Sequence, residues 1–242
     1  MQNELDEVYE SFKTKAKAAM PVDLADNLSA PLLLSVPERW LSSSNRILII
    51  GQETKGWDWE GHGSFLDFLR VANSVELLLR KYVEFNFAKK DPNDHNSFFW
   101  RAYRKVRKRF DLSEEGIDSN VLWSNLIRAD WEKKSITNAP PQQQKTAWSI
   151  FRGILTDEIK ILKPHAVIFF TGPDYDEFLL SEFADAKLHS FGTHPEREAA
   201  WLEHSSLPPS PIRTYHPGHL NRVPELQHMV DEIINEIAQR LA

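Results

Sequence analysis

The chain has 242 residues, 41% hydrophobic and 26% charged, a composition that excludes a disordered or fibrous protein. Its formal charge of −6 argues against bulk electrostatic coating of nucleic acid, while leaving room for a local basic face. The absence of cysteine excludes disulfides, thiolate zinc sites, iron–sulfur clusters and thiol nucleophiles, so oxygen, nitrogen and carboxylate chemistry remains.

In chain order, residues 3–19 place Leu5, Val8, Tyr9, Phe12, Ala16 and Ala19 at helical spacing among charges, which predicts an amphipathic helix. The acidic start MQNELDEVYE has neither the basic nor the apolar region of a secretory signal. After a loop marked by Pro21, Pro31 and Pro37, Arg46–Ile50 predicts a short buried strand running into the polar turn Gly51-Gln-Glu-Thr-Lys-Gly56. That apolar run is far below the roughly 18 residues of a membrane span, so a cytoplasmic protein without membrane contact is expected. Helices are expected over 64–88 and 97–110, separated by the turn-rich KKDPNDHN of residues 89–96. The second helix carries Arg101, Arg104, Lys105, Arg107, Lys108 and Arg109 with Phe98, Phe99, Trp100 and Tyr103 interleaved. Such a run is either a solvated face over a packed aromatic side or a surface aimed at phosphates.

Further along, Asn120–Asn125 predicts a second strand and 142–162 a single helix that stops before Lys163-Pro164. A third strand, His165–Phe170, ends at Thr171-Gly172-Pro173 and is followed by a helix over 175–183. Residues 193–211, with Pro195, Pro208, Pro209 and Pro211, read as an irregular loop before a fourth strand, Ile212–Tyr215. That strand runs into His216-Pro-Gly-His-Leu-Asn-Arg222, and a helix over 224–241 closes the chain. Short apolar strands joined by helices predict an α/β fold, a three-layer αβα sandwich around a central four-stranded parallel sheet. No repeat, low-complexity tract or linker interrupts the chain. It reads as a single domain over 1–242, with 1–44 as a helical extension and 70–118 as a helical insertion.

Ligand sites of open parallel sheets lie beyond the carboxyl ends of the strands. The residues there are Gln52, Glu53 and Lys55 after the first strand, Asn125 at the end of the second, Thr171 and Gly172 after the third, and His216 and His219 after the fourth. A carboxylate, an amide and an imidazole converging from separate strand ends suit acid/base or charge-stabilised hydrolysis. His216 and His219 are spaced i, i+3, but Pro217 and Gly218 argue against a helix there and no third ligand has recognisable spacing, so neither metal nor cofactor is expected.

These strand ends resemble the uracil-DNA glycosylase superfamily. Its best-known branch has a strand followed by Gly-Gln-Asp-Pro-Tyr, where this chain has Gly51-Gln52-Glu53-Thr54-Lys55. Its second strand ends in Asn, matched by Asn125; its third in a Trp-Gly-like pair, here Thr171-Gly172. Its last motif, His-Pro-Ser-Pro-Leu, is matched by His216-Pro217-Gly218-His219-Leu220. The similarity spans roughly 45–240. It implies a metal-independent, monomeric DNA glycosylase that flips one nucleotide out of the duplex and hydrolyses its N-glycosidic bond. Glu53 would orient water and steady the sugar cation, His216 would hydrogen-bond the departing base oxygen, and Asn125 would read the base edge. Gln52 and Lys55 would border the base. Phe65, twelve residues after Glu53, is either the aromatic that stacks on the base or a core residue. Leu220 would be the wedge that fills the vacated stack, with His219, Asn221, Arg222 and Thr171 on the DNA face.

The departures bear on substrate. Lys55 stands where the family has the Tyr that blocks C5-substituted pyrimidines, and Trp57 and Trp59 are close by. The implied pocket takes a pyrimidine enlarged at C5, similar to the antiphage glycosylases that excise glucosylated hydroxymethylcytosine. Alternatives are an ordinary uracil or deaminated-base repair glycosylase, a catalytically inactive DNA-binding protein on the same fold, and a hydrolase of free nucleosides. The wedge-like Leu220 and the Arg101–Arg109 cluster count against the last of these.

Overall fold

A computed structural model describes residues 1–87, 96–111 and 119–242. Its elements are α1 (Gln2–Ala19), α2 (Val22–Asn27), α3 (Glu38–Ser42), β1 (Ile47–Gly51), α4 (Phe65–Arg70), α5 (Ser74–Phe87), α6 (Phe98–Phe110), β2 (Val121–Asn125), α7 (Pro141–Phe151), α8 (Ile154–Leu162), β3 (Ala166–Phe169), α9 (Asp176–Glu182), β4 (Lys187–Ser190), β5 (Ala199–Glu203), β6 (Ile212–Thr214), α10 (Pro217–Leu220) and α11 (Met229–Leu241). The turn expected at 89–96 lies outside the described residues except for Asn96, as does part of the 70–118 segment. No described helix is long and apolar enough to cross a membrane.

The six strands among the described residues form one mixed sheet in the order β2-β1-β3-β6-β5-β4. The expected four-stranded parallel sheet is thereby corrected: β2, β1, β3 and β6 pair in parallel, and β5 and β4 extend them antiparallel at one edge. β5 lies within 193–211, where an irregular loop was expected, and β4 in the stretch before it, for which no element was expected. β4 (KLHS) is largely exposed and carries no apolar alternation, so it leaves no periodic signal. The four parallel strands are buried throughout, as strands covered on both faces must be.

The helices form two packing groups: α1 contacts α4, α5, α7 and α8, whereas α6 contacts α10, α11, β1 and β2. Two expected helices are each broken. The 142–162 segment stops at Arg152 and resumes after Gly153, whose φ of +99° is a left-handed turn that glycine adopts without a Cβ clash. The 64–88 segment breaks at Val71, which is extended. At the start of that segment Ser64 and Asp67 form a reciprocal capping box.

Beneath the sheet, Arg128 and Glu158 are both fully buried and paired at 2.8 and 2.9 Å. Glu158 also accepts from Tyr9 at 2.7 Å and from Ser124 at 3.0 Å, so α1, β2 and α8 are tied by one polar network in an apolar surrounding.

Candidate active site

The chain passes from β1 to β2 on one side and then returns past β1 to β3 on the other, a reversal that opens a crevice at the carboxyl end of β1. A cleft of about 820 Å³ lies there, and Gln52, Glu53, Lys55, Asn125 and His216 all line it. Gly51 and Asn125 are direct partners in the parallel register, so their side-chain positions share a face. A Cβ at Gly51 would collide with Asn125 Oδ1 and come within 3.2 Å of the Phe99 ring. The missing side chain is what lets the Asn125 carboxamide lie over β1. Asn125 is only 3% exposed, yet no described residue hydrogen-bonds its carboxamide. The carboxamide keeps solvent contact through the cleft, so its donor and acceptor are open to a ligand.

The loop after β1 is held by Asp130, which accepts from Thr54 Oγ1 at 3.0 Å, Gly56 N–H at 2.5 Å and Lys133 N–H at 2.7 Å. Gly56 has φ +70°, a left-handed conformation that turns its N–H toward that carboxylate. Within the loop, Glu53 Oε2 accepts from Ile136 N–H at 2.7 Å and Oε1 from the Tyr175 hydroxyl at 2.6 Å. Ser135 Oγ lies 2.8 Å from the same hydroxyl. Burial raises the Glu53 carboxyl above the ordinary range, and the Ile136 and Tyr175 bonds pull it back down. Tyr175 is pushed up by burial and by the Glu53 charge, so it stays a protonated donor. The Ser135 hydroxyl, beside both Tyr175 and Glu53, is a third group that favours the ionised carboxylate.

His216 performs two tasks. Its Nδ1 accepts the Gly218 N–H at 3.1 Å and so caps α10. A ring nitrogen that accepts is unprotonated, so the neutral ring carries its hydrogen on Nε2, which has no partner among the described residues. Burial, with the nearby Arg222 charge second, lowers the ring's pKa to about 4. At neutral pH the cleft therefore meets an uncharged N–H donor. The one-turn helix itself corrects the expectation that Pro217 and Gly218 exclude one: Pro at the first helical position needs no N–H partner there.

One side of the cleft is aromatic. Trp57, Phe85, Phe99, Trp100 and Trp123 line it, with Trp57 at 5.9 Å and Trp100 at 5.0 Å from Trp123, both edge-on. Phe99 lies parallel to the His216 ring at 6.2 Å. The Trp57 indole N–H is buried without a hydrogen-bond partner. Lys55, Lys133 and Lys134 are exposed along the cleft, and no described residue pairs with their ammonium groups. This is a basic rim on a chain of net charge −6.

Several expected site residues are elsewhere. Phe65 is fully buried among Phe12, Phe68 and Phe151 and takes no part in the cleft, so it is a core aromatic. Phe99, on a helix distant in sequence, provides the aromatic beside Asn125. Leu220 is 2% exposed: the cap at His216 and the turn of α10 direct it into the core, which removes it as an exposed wedge. Thr171 is fully buried, and its carbonyl accepts Gln52 Nε2 at 2.7 Å, so it braces the β1 end rather than forming an outer face. His219 stacks on Tyr215 at 4.0 Å, away from the cleft lining. Asn221 and Arg222 are exposed beside this turn. The Arg101–Arg109 run follows its solvated reading in part: Lys105 pairs with Asp231 and Arg107 with Asp111, while Tyr103 and Val106 are buried. Sequence reasoning passed over Tyr175, Ser135, Asp130 and Trp123, whose roles arise from three-dimensional contacts and leave no motif.

No family model matches this sequence, and no curated protein matches it.

Proposed function

We propose that this protein is a metal-independent DNA glycosylase that hydrolyses the N-glycosidic bond of a single flipped-out pyrimidine nucleotide. The observation that carries the reading is the meeting of Glu53, Asn125 and a neutral His216 in one cleft, with the buried Asn125 carboxamide lacking any described protein partner. In this account the base lies along Phe99 with its edge on Asn125. Water held by the Glu53 carboxylate attacks the anomeric carbon as the bond to the base nitrogen breaks. The bonding pair leaves with the base, His216 Nε2–H hydrogen-bonds the base oxygen as negative charge develops there, and the water's proton passes to Glu53. Lys55, Lys133, Lys134 and Arg222 supply positive charge for the flanking phosphates.

The base we propose is a pyrimidine enlarged at C5, such as glucosylated hydroxymethylcytosine of phage DNA, which would make the protein an antiviral one acting as a monomer in the cytoplasm. A cleft of about 820 Å³ exceeds what a plain pyrimidine fills, and Trp57, Trp100 and Trp123 on its wall give a polar substituent an aromatic platform. One observation favours the inactive DNA-binding alternative: both Glu53 oxygens already accept protein hydrogen bonds, an arrangement that also suits a purely structural clamp. The test is base release, read as alkali-sensitive strand breaks, from duplexes with uracil, mismatched thymine, hydroxymethylcytosine or its glucosylated form. Release confined to an enlarged base supports the full reading. Release of uracil alone supports the repair alternative, and binding without release in wild type supports the inactive one.

A further inference from the structure

The loop after β4 and the first turn of α11 bring together three side chains outside the cleft: His194, His228 and Glu232 each offer one donor atom, and all three lie within 4.8 Å of one another. Glu232 Oε2 is 2.7 Å from His194 Nε2, and Oε1 is 3.0 Å from His228 Nε2. We propose that these residues form a binding site for a divalent transition-metal ion, zinc above others on the chemistry of its donors. Two imidazoles and a carboxylate are a common zinc donor set, and hard oxygen-seeking ions such as magnesium do not select imidazole.

The spacing suits the ion. Tetrahedral ligands at about 2.0–2.1 Å from zinc stand roughly 3.3 Å apart. The two short contacts fall on different oxygens of Glu232, so a single ligating oxygen keeps one of them nearly unchanged, and the remaining pairs draw together by about 1.5 Å or less. His228 and Glu232 are four residues apart at the start of α11 and share its face.

His194 is the positioned member. Its ring is only 16% exposed, lies parallel to Phe191 at 6.1 Å, and presents Nδ1 to Glu198 Oε2 at 3.4 Å. A carboxylate behind the far nitrogen of a histidine is the arrangement that orients metal-bound imidazoles. On binding, the Nε2 atom of each ring turns to the metal, with His194 giving up its Nε2–H bond to Glu232, and the His194 Nδ1–H meets Glu198. His228 and Glu232 are 56% and 40% exposed, which leaves an entry path and a fourth coordination position for water. The bound ion would clasp α11 to the segment between β4 and β5. Nothing in this inference rests on glycosylase activity.

The experiment is titration calorimetry of the full-length, chelator-treated protein with zinc chloride, paired with zinc-edge X-ray absorption. The expected result is about one zinc per chain at micromolar affinity, with nitrogen and oxygen neighbours near 2.0 Å. His228→Ala, at an exposed position that should not perturb folding, should weaken binding at least about tenfold, and Glu198→Gln should weaken it by a smaller factor. His194→Ala should behave like His228→Ala, with circular dichroism checking the fold. The proposal is overturned if no zinc binds at millimolar concentration, or if His228→Ala binds as tightly as wild type.

Discussion

His216 provides the sharpest physical test, because its neutrality follows from the fold and not from any assumed substrate. The unfolded imidazole takes its proton near pH 6.5 and the folded one near 4. Below pH 6.5 the unfolded state binds a proton that the folded state refuses. Stability is therefore complete above that pH and declines as acid is added, down to about pH 4. Between pH 8 and 4.5 this one group is worth roughly 2–3 kcal/mol by linkage. Solvent reaching the ring edge through the cleft lowers the expectation to about 2 kcal/mol. The perturbation is His216→Asn, which keeps a capping acceptor for Gly218 N–H but cannot titrate. Urea unfolding at both pH values, for both proteins, removes the contribution of every other group if the difference of differences is taken. Wild type should lose about 2 kcal/mol more than the variant on acidification. Equal losses, or an imidazole that titrates near 6.5 by NMR, would refute the account of a buried, uncharged donor.

The remaining predictions are structural or catalytic. Arg128→Met strands the fully buried Glu158 carboxylate and should cost about 3–5 kcal/mol in chemical denaturation, with much of it recovered by adding Glu158→Leu; a loss below about 1 kcal/mol would contradict the buried-network reading. Gly51→Ala pushes the Asn125 carboxamide and the Phe99 ring aside, and should reduce base release about tenfold to a hundredfold while the protein remains folded; unchanged release would separate Asn125 from substrate. Tyr175→Phe removes a bond that steadies ionised Glu53, so the acid limb of the rate profile, already above the ordinary carboxylate range, should move to still higher pH; an unmoved limb would exclude Glu53 as the ionising group. Phe65→Leu should lower stability by about 1–3 kcal/mol and leave base release intact, whereas Phe99→Ala should impair release, as measured by thermal melts beside single-turnover assays.

The parts of the fold legible in the sequence are those with strong local signals. Buried runs such as Ile47–Ile50 mark parallel strands, and the helical spacing of Leu5, Tyr9, Phe12 and Ala16 marks α1. β4 lacks such a signal, because the exposed face of an edge strand relaxes the need for apolar alternation, whereas β5 is an inner, largely buried strand whose five residues lie within a proline-marked stretch. At the cleft, the strand-end rule located Glu53, Asn125 and His216, since their placement depends only on where strands stop. It could not say where side chains point. Phe65 opens α4, where the Ser64 cap turns it toward Phe12, and Leu220 follows a capped turn that directs it inward. Phe99 reaches the cleft from α6 through tertiary packing that no local pattern encodes.

The most direct measurement of the central claim is mass-spectrometric detection of free base released from duplex DNA carrying glucosylated hydroxymethylcytosine, comparing wild type with Glu53→Gln. The account predicts one free modified base and one abasic site per event with wild type, and release reduced by about a hundredfold or more with Glu53→Gln although DNA binding persists. Equal release by the two proteins would contradict the role given to Glu53. Binding by wild type without release of any base would contradict the glycosylase reading itself.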